Sequence, residues 1–177
     1  LALWSLLGGS DTTKTHGRAL RETGASRASL CAIGAAGVMR GLARRFADSV
    51  ERHGDRVALE VEGRELSYAY LYRAASNLAG ALEGFSGGAE PGLTAVFGHR
   101  SQLAFAGILA ALLRGHGYVP LNPAFPTERS ARMLERSGCR DVIVDEGALG
   151  QLDALLSGVT RPLSLLVPES APVAELR

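Results

Sequence analysis

The residues best suited to chemistry in this chain are few and far apart. Gly8-Gly9-Ser10-Asp11-Thr12-Thr13-Lys14-Thr15 differs by one residue from the phosphate-cradling pattern G-x-x-x-x-G-K-[ST], with Thr13 in place of the second glycine. A β-branched residue there resists the conformation that turns backbone N–H groups inward, and no strand–helix–strand unit follows directly. The stretch therefore reads as a Thr/Ser-rich loop. Lys14 is the only lysine. His16, His53, His99 and His116 are dispersed, with no H-x-H or H-E-x-x-H spacing, so no metal site is expected. Asp48, Asp55, Asp141 and Asp145 could supply acid–base pairs, but single carboxylates at helix and strand ends are usually caps or solvated groups. Ser67 and Ser101 stand at helix starts, where capping is the expected duty. Cys31 and Cys139 have no metal-ligand spacing, and no disulfide framework is implied.

The elements that would position these residues form an alternating series. Gly41 to Gly54 reads as a helix with Leu42, Phe46 and Val50 on one stripe and Arg44, Arg45, Glu51 and Arg52 on the rest. Val57–Val61 and Arg64–Ser67 flank Glu62-Gly63, a hairpin signal. Ser67 then caps a helix to about Leu82, with Leu71, Leu78 and Leu82 facing the core and Ala74, Ala75 and Ala79 allowing close approach to a sheet. Tyr68 and Tyr72 are expected to pack rather than to bind. The glycine-dense stretch to Gly92 reads as a connection and Leu93–Phe97 as a buried strand. A helix from Arg100-Ser101 to Arg114 is apolar nearly all round through Leu103, Phe105, Ile108, Leu109, Leu112 and Leu113, which predicts the centre of the core. Val142–Val144, a weaker helix over Ala148–Leu156 and a strand around Leu163–Val167 follow, and Pro168–Val173 reads as a linker. Strand and helix alternate from Leu93 onward, so the fold class is α/β with a parallel-rich sheet, flanking helices and a small hairpin.

The most informative stretch runs from Leu112 to Asp145 and reads LLRGHGYVPLNPAFPTERSARMLERSGCRDVIVD. Gly115 and Gly138 are placed to end helices through a left-handed residue. Between them Tyr118-Val119-Pro120-Leu121 suits a buried strand end, and Pro120, Pro123 and Pro126 prevent either helix from running through. Thr127 is expected to cap the next helix, with Glu128 at its positive end.

On these residues the chain resembles the adenylate-forming, AMP-binding superfamily. The pattern Gly-x-Gly-Tyr-Val-Pro-Leu-Asn-Pro-x-Phe-Pro-x-Glu-Arg is similar to an early stretch of those enzymes, nearest to nonribosomal peptide synthetase adenylation domains, many of which carry Asp at the place of Asn122. Upstream, Leu66-Ser67-Tyr68-Ala69-Tyr70-Leu71 resembles the family's Leu-Ser/Thr-Tyr-x-Glu-Leu, with Tyr70 for the usual acid. The match covers roughly Leu42 to Leu176, and Arg100-Ser101 corresponds to a common family pair. The resemblance implies ATP and Mg²⁺ as cofactors of a complete enzyme. It also implies a carboxylate substrate activated as acyl-AMP, and a carrier-protein phosphopantetheine or CoA thiol as acceptor.

Family chemistry needs a Gly/Ser/Thr loop with a lysine around the phosphates, an acid for the ribose and a mobile lysine, all downstream of the strand matching Val142–Val144. After Asp145 there is no such loop, and no lysine follows Lys14. The expectation is a truncated N-terminal portion of an adenylation domain over residues 42–177, preceded by an unassigned leader over 1–41. No catalytic, cofactor-binding or metal residue is assigned, and the chain alone is expected to be inactive. Two readings from other classes stay open: a non-catalytic α/β remnant or interaction module, and an unrelated flavodoxin-like module using the Gly8–Thr15 loop.

Composition fits a folded domain. The chain has 177 residues, 46% hydrophobic and 21% charged, with a net charge of +1. That length can enclose a core, and that charge gives no reason to expect nucleic acid as a partner. The longest apolar run, Leu103–Leu113, covers about half of the roughly 20 residues a membrane-spanning helix needs. The Arg27 and Leu30–Met39 stretch lies too far into the chain for a signal peptide, so a cytoplasmic location is expected.

Overall fold

The computed structural model describes residues 2–4, 41–86 and 92–168. The Gly8–Thr15 loop, Cys31, His16 and most of the 168–173 linker lie outside the described residues. Seven strands and five α-helices occur among those described: β1 (Ala2–Trp4), α1 (Leu42–His53), β2 (Val57–Val61), β3 (Arg64–Ser67), α2 (Tyr68–Ser86), β4 (Leu93–Phe97), α3 (Gln102–Leu113), β5 (Gly117–Leu121), α4 (Thr127–Ser137), β6 (Asp141–Val144), α5 (Leu152–Ser157) and β7 (Ser164–Pro168). Five strands form one parallel sheet in the order β1-β7-β6-β4-β5, and β2 and β3 form the separate antiparallel hairpin. The expected α/β class, parallel sheet and hairpin are all present.

The sheet works because its central strands are apolar on both faces. Along β4, β6 and β7, Val96, Ile143 and Leu166 point to one side, where they meet Leu71, Leu78 and Leu82 of α2 and Ala106 and Ala110 of α3. Ala95, Phe97, Val142, Val144, Leu165 and Val167 point to the other, against Leu134 of α4 and Leu152 and Leu155 of α5. Alternation with period two in a strand covered on both sides gives this two-faced core. Fully burying one such large side chain is worth about 1.5–3 kcal/mol.

Several boundaries and burials differ from expectation. Leu42 is 68% exposed whereas Ala43 is buried, because α1 begins at Leu42 and the inward stripe runs through Ala43, Phe46, Ala47 and Val50. Thr127 does not cap α4. Pro126 stands at that place with φ −52°, Thr127 is the first helical residue, and no side-chain cap bond forms, although Glu128 does lie in the first turn. α2 runs one turn beyond Leu82. The segment expected as a helix over Ala148–Leu156 is a 3-10 turn over Glu146–Gln151 followed by the short α5. Ser67 behaves as expected, its Oγ accepting from Tyr70 N–H at 3.2 Å. Gly115 and Gly138 do carry the positive φ that ends their helices.

β5 is an edge strand among the described residues rather than a buried strand end. Tyr118 and Pro120 are exposed and Leu121 is buried. The placement accounts for the proline. Gly117 N–H donates to Gly92 O and Leu121 O accepts from Gly98 N–H, so the odd-numbered residues of β5 face β4. Pro120, which has no N–H, faces the free edge, where no ladder bond is lost.

α3 holds the centre, as expected, but mostly through different residues. Leu113 is buried as expected, together with Ala104, Ala106, Gly107, Ala110 and Ala111, while Leu103, Phe105, Ile108, Leu109 and Leu112 are only partly covered. Small side chains let the helix axis approach β4 and β6 closely, and the bulky ones are left on its flanks and outer side.

Candidate functional site

In an open parallel sheet, ligands bind outside the carboxyl ends of the strands, where neighbouring strands send their connections to opposite faces. Here that point lies between β4 and β6. β4 leads into α3 on one face and β6 leads into α5 on the other. The residues gathered there are Gly98, His99, Arg100 and Ser101 after β4, Asn122 and Pro123 after β5, and Asp145, Glu146 and Gly147 after β6.

Each loop has a local reason for its shape. Ser101 Oγ accepts from Ala104 N–H at 3.1 Å and starts α3, so its expected capping role is confirmed. Asn122 Oδ1 accepts from Ala124 N–H at 2.9 Å, folding the Asn-Pro-Ala-Phe stretch into a turn that the Phe125 N–H to Asn122 O bond closes. The Arg129 guanidinium then covers the Phe125 ring at 4.5 Å. The residues that carry the family resemblance thus build a strand end, a turn and a helix start. They position the chain and make no catalytic pair.

At the β4/β6 point itself the two loops touch. Asp145 N–H donates to Phe97 O at 2.8 Å, and an ideal Cβ on Gly98 would lie only 2.6 Å from Asp145 Cβ. Gly98 is therefore fixed by close approach, a feature that no periodicity in the sequence announces. Gly147 continues the contact, its missing Cβ lying 3.5 Å from His99 Cδ2. At this point the β4/β6 ladder runs one bond further and the Asp145 side chain lies against Gly98.

The opposite, amino-terminal edge carries a buried polar cluster. Arg114 Nη1 donates to Asp141 Oδ2 at 2.8 Å, with the two side chains 3% and 4% exposed. His116 Nδ1 lies 3.3 Å from Thr94 Oγ1, and both residues are buried. Burial holds the His116 pKa below the usual histidine value, Arg114 pushes it the same way, and Asp141 and Glu83 oppose them. Cys139, buried and without a disulfide, has its thiol pKa raised by the same loss of solvent, against hydrogen bonding from Ser137. A third polar arrangement ties α4 to the strand beyond it. Arg161 donates through Nε to Cys139 O (2.9 Å), through Nη1 to Glu135 O (2.9 Å) and through Nη2 to Leu134 O.

The candidate residues therefore scatter. His53 ends α1, His99 is on the carboxyl edge and His116 on the amino edge. Asp48 sits on α1, Asp55 follows it, Asp141 is in the ion pair and Asp145 borders Gly98. Among the described residues no three His, Cys, Asp or Glu side chains converge as a metal site would require, and no helix is long and apolar enough to cross a membrane. Tyr72 packs as expected, 6.4 Å from Phe46, and Phe46 also meets Tyr68 at 5.8 Å. Sequence reasoning missed Gly98, the Arg114–Asp141 pair and the Arg161 clamp. Arg114 at the end of an uncharged helix was the one available hint, and its partner became visible only with the strand order.

Comparison with known proteins agrees with this geometry. The model of the AMP-binding enzyme family matches residues 46–176. The AMB antimetabolite synthetase AmbB of Pseudomonas aeruginosa is 36% identical over 110 residues, which are 62% of this chain and 9% of that protein. The crystal structure of IdnL7 is similar with a TM-score of 0.67 and 32% identity, over 77% of this chain and 26% of that one. An AMPPNP-bound nonribosomal peptide synthetase, FmoA3, is similar with a TM-score of 0.62 and 25% identity, over 86% of this chain and 17% of that one. The chain thus spans a small part of each relative's length. The family match, over well more than half of the chain, and the shared parallel-sheet subdomain place this protein in the AMP-binding enzyme family, as an N-terminal portion of the adenylate-forming fold.

Proposed function

We propose that this chain is the opening part of an ATP-dependent adenylate-forming ligase, of the nonribosomal peptide synthetase type, and is by itself inactive. In the complete enzyme a carboxylate attacks the α-phosphate of ATP, pyrophosphate leaves, and the acyl-AMP passes to a carrier-protein phosphopantetheine or CoA thiol. Residues 42–177 would be the family portion and residues 1–41 an unassigned leader, of which Ala2–Trp4 pairs with β7. A cytoplasmic setting with no nucleic-acid or membrane partner belongs to the same reading.

One observation carries the proposal. The stretch from Leu112 to Asp145 that resembles the family folds into the strand–turn–helix–strand unit β5-α4-β6. The phosphate-binding part is not among these elements. No lysine follows Lys14 and no Gly/Ser/Thr-rich loop follows Asp145, so the lysine-bearing phosphate loop that family chemistry needs is not found in the sequence of residues 42–177. Mg²⁺ would be held largely by the ATP phosphates and by parts of the enzyme other than this chain.

Isothermal titration of MgATP into the full chain is the direct test. Affinity weaker than millimolar is expected, and micromolar binding would overturn the inactive reading. The coding sequence beyond Arg177 gives an independent check: a frame continuing into a Thr/Ser-Gly-rich loop ending in lysine supports the ligase. A stop codon there favours the second reading, a non-catalytic interaction module. The partly covered Phe105, Ile108, Leu109 and Leu112 on α3 are the observation that supports that alternative.

A further inference from the structure

We propose that the amino-terminal edge of the sheet is an acid-sensitive latch, in which protonation of His116 opens the buried Arg114–Asp141 pair and frees the α3–β5 corner from β6. The latch joins three strands through four side chains. Arg114 closes α3, and its guanidinium reaches Asp141, the first residue of β6, at 2.8 Å. Two residues on, His116 leads into β5 and meets Thr94 of β4 at 3.3 Å. β5 is an edge strand among the described residues, so its start has a strand neighbour on one side only and these contacts help to hold it.

The charge arithmetic makes the cluster sensitive to one proton. With His116 neutral, the Arg114 guanidinium holds the Asp141 carboxylate in a buried ion pair, an arrangement that burial tolerates when its geometry is good. Protonating His116 places a second cation beside Arg114. The charged groups acting on His116 are Arg114 from its own connection, Asp141 from β6 and Glu83 from α2, while β4 offers the neutral Thr94 hydroxyl. The combined effect of burial and Arg114 outweighs the two acids and keeps the imidazole neutral.

The direction of the pH dependence follows. The folded pKa of His116 is lowered, so the unfolded chain takes up the proton first as pH falls. Stability is complete above the ordinary histidine value of about 6.5 and is lost as pH drops through the window below it.

The test compares thermal unfolding of the full chain at pH 7.5 and 5.5 with that of a His116→Gln variant, which keeps a polar group toward Thr94 but cannot take up the proton. The parent is expected to lose more melting temperature than the variant across this interval. Equal losses would overturn the latch. Should the variant fail to fold, NMR titration of the imidazoles in the parent chain decides the matter. His116 must titrate below the ordinary histidine value of about 6.5, and the amides of Arg114 and Asp141 must shift with the same midpoint. A midpoint at or above that value, or a titration silent at Arg114 and Asp141, would equally overturn it.

Discussion

The two faces of the parallel sheet are finished to different degrees. On one, α4 presents Arg129, Arg132 and Arg136 to solvent and turns Ser130, Ala131 and Leu134 inward. On the other, α3 has no charged residue and no fully exposed one; its outward side carries Phe105, Ile108, Leu109 and Leu112, each partly buried. The α4 face has the amphipathic pattern of a surface helix, and the α3 face has the all-round apolar pattern of a helix covered on more than one side. α1 and the hairpin cover the α3 side only in part, through Phe46, Ala47, Val50, Ala58 and Leu59. The difference teaches that the α4 side is an outer surface, whereas the α3 side is suited to a further layer of protein.

Core truncation on each side gives the largest effect and asks whether the faces fold together. Leu78 on the α2–α3 side and Leu134 on the α4 side are both fully buried. Leu78→Ala and Leu134→Ala should each cost about 2–5 kcal/mol, and urea unfolding followed by circular dichroism should show one shared transition for both variants. Two separated transitions in either variant would mean that the faces are independent units.

Gly98→Ala should come next, at about 1–3 kcal/mol, because the added methyl meets Asp145 Cβ rather than the movable end of a long side chain. The change strikes the carboxyl edge that both faces share. A thermal melt unchanged by Gly98→Ala would show that the β4 and β6 loops can give way at this contact.

Arg161→Ala should follow, at about 1–2 kcal/mol, confined to the α4 side. The loss is of hydrogen bonds to the Leu134, Glu135 and Cys139 carbonyls more than of the Glu135 ion pair, which is partly exposed and screened. Hydrogen exchange through local opening should speed up most at the end of α4, while α2 and α3 change by no more than the overall loss of stability. A larger acceleration in α2 than in α4 would contradict the separation of the two clusters.

Much of the fold was legible because it rests on local rules. The Glu62-Gly63 turn has φ values of +54° and +70°, which the hairpin signal anticipates. Ser67 and Ser101 cap where hydroxyls at helix starts should, and strand–helix alternation predicts the parallel sheet. What was not legible depends on pairing between distant segments. The sequence marks Leu42 as apolar but cannot say that α1 begins there and leaves it outside. It shows an apolar α3 but not that alanines and Gly107 take the inner positions, which follows from how closely the helix approaches Val96 and Ile143. Arg114 and Asp141 are 27 residues apart and meet only because β6 lies beside β4. The family resemblance was readable for the same local reason: its motif residues build a turn and a helix start, and turns are written in adjacent residues.

Phe105→Lys should have the smallest effect on stability, about 1 kcal/mol or less, because the ring is partly exposed and belongs to neither buried cluster. It nevertheless separates the two faces most sharply. If the outward side of α3 is apolar enough to need covering, the parent chain should self-associate with rising concentration in sedimentation velocity. A lysine at Phe105 should shift it toward monomer without lowering the melting temperature appreciably. Arg132→Ala, on the charged face, should leave the association unchanged. A parent chain that stays monomeric at every concentration would show that α1 and the hairpin already cover α3 well enough, and the contrast between the faces would then be one of residue size rather than of completeness. Association that survives Phe105→Lys would move the sticky surface elsewhere, most directly to Tyr118 and Phe125 near the β5 edge, both more than a third exposed.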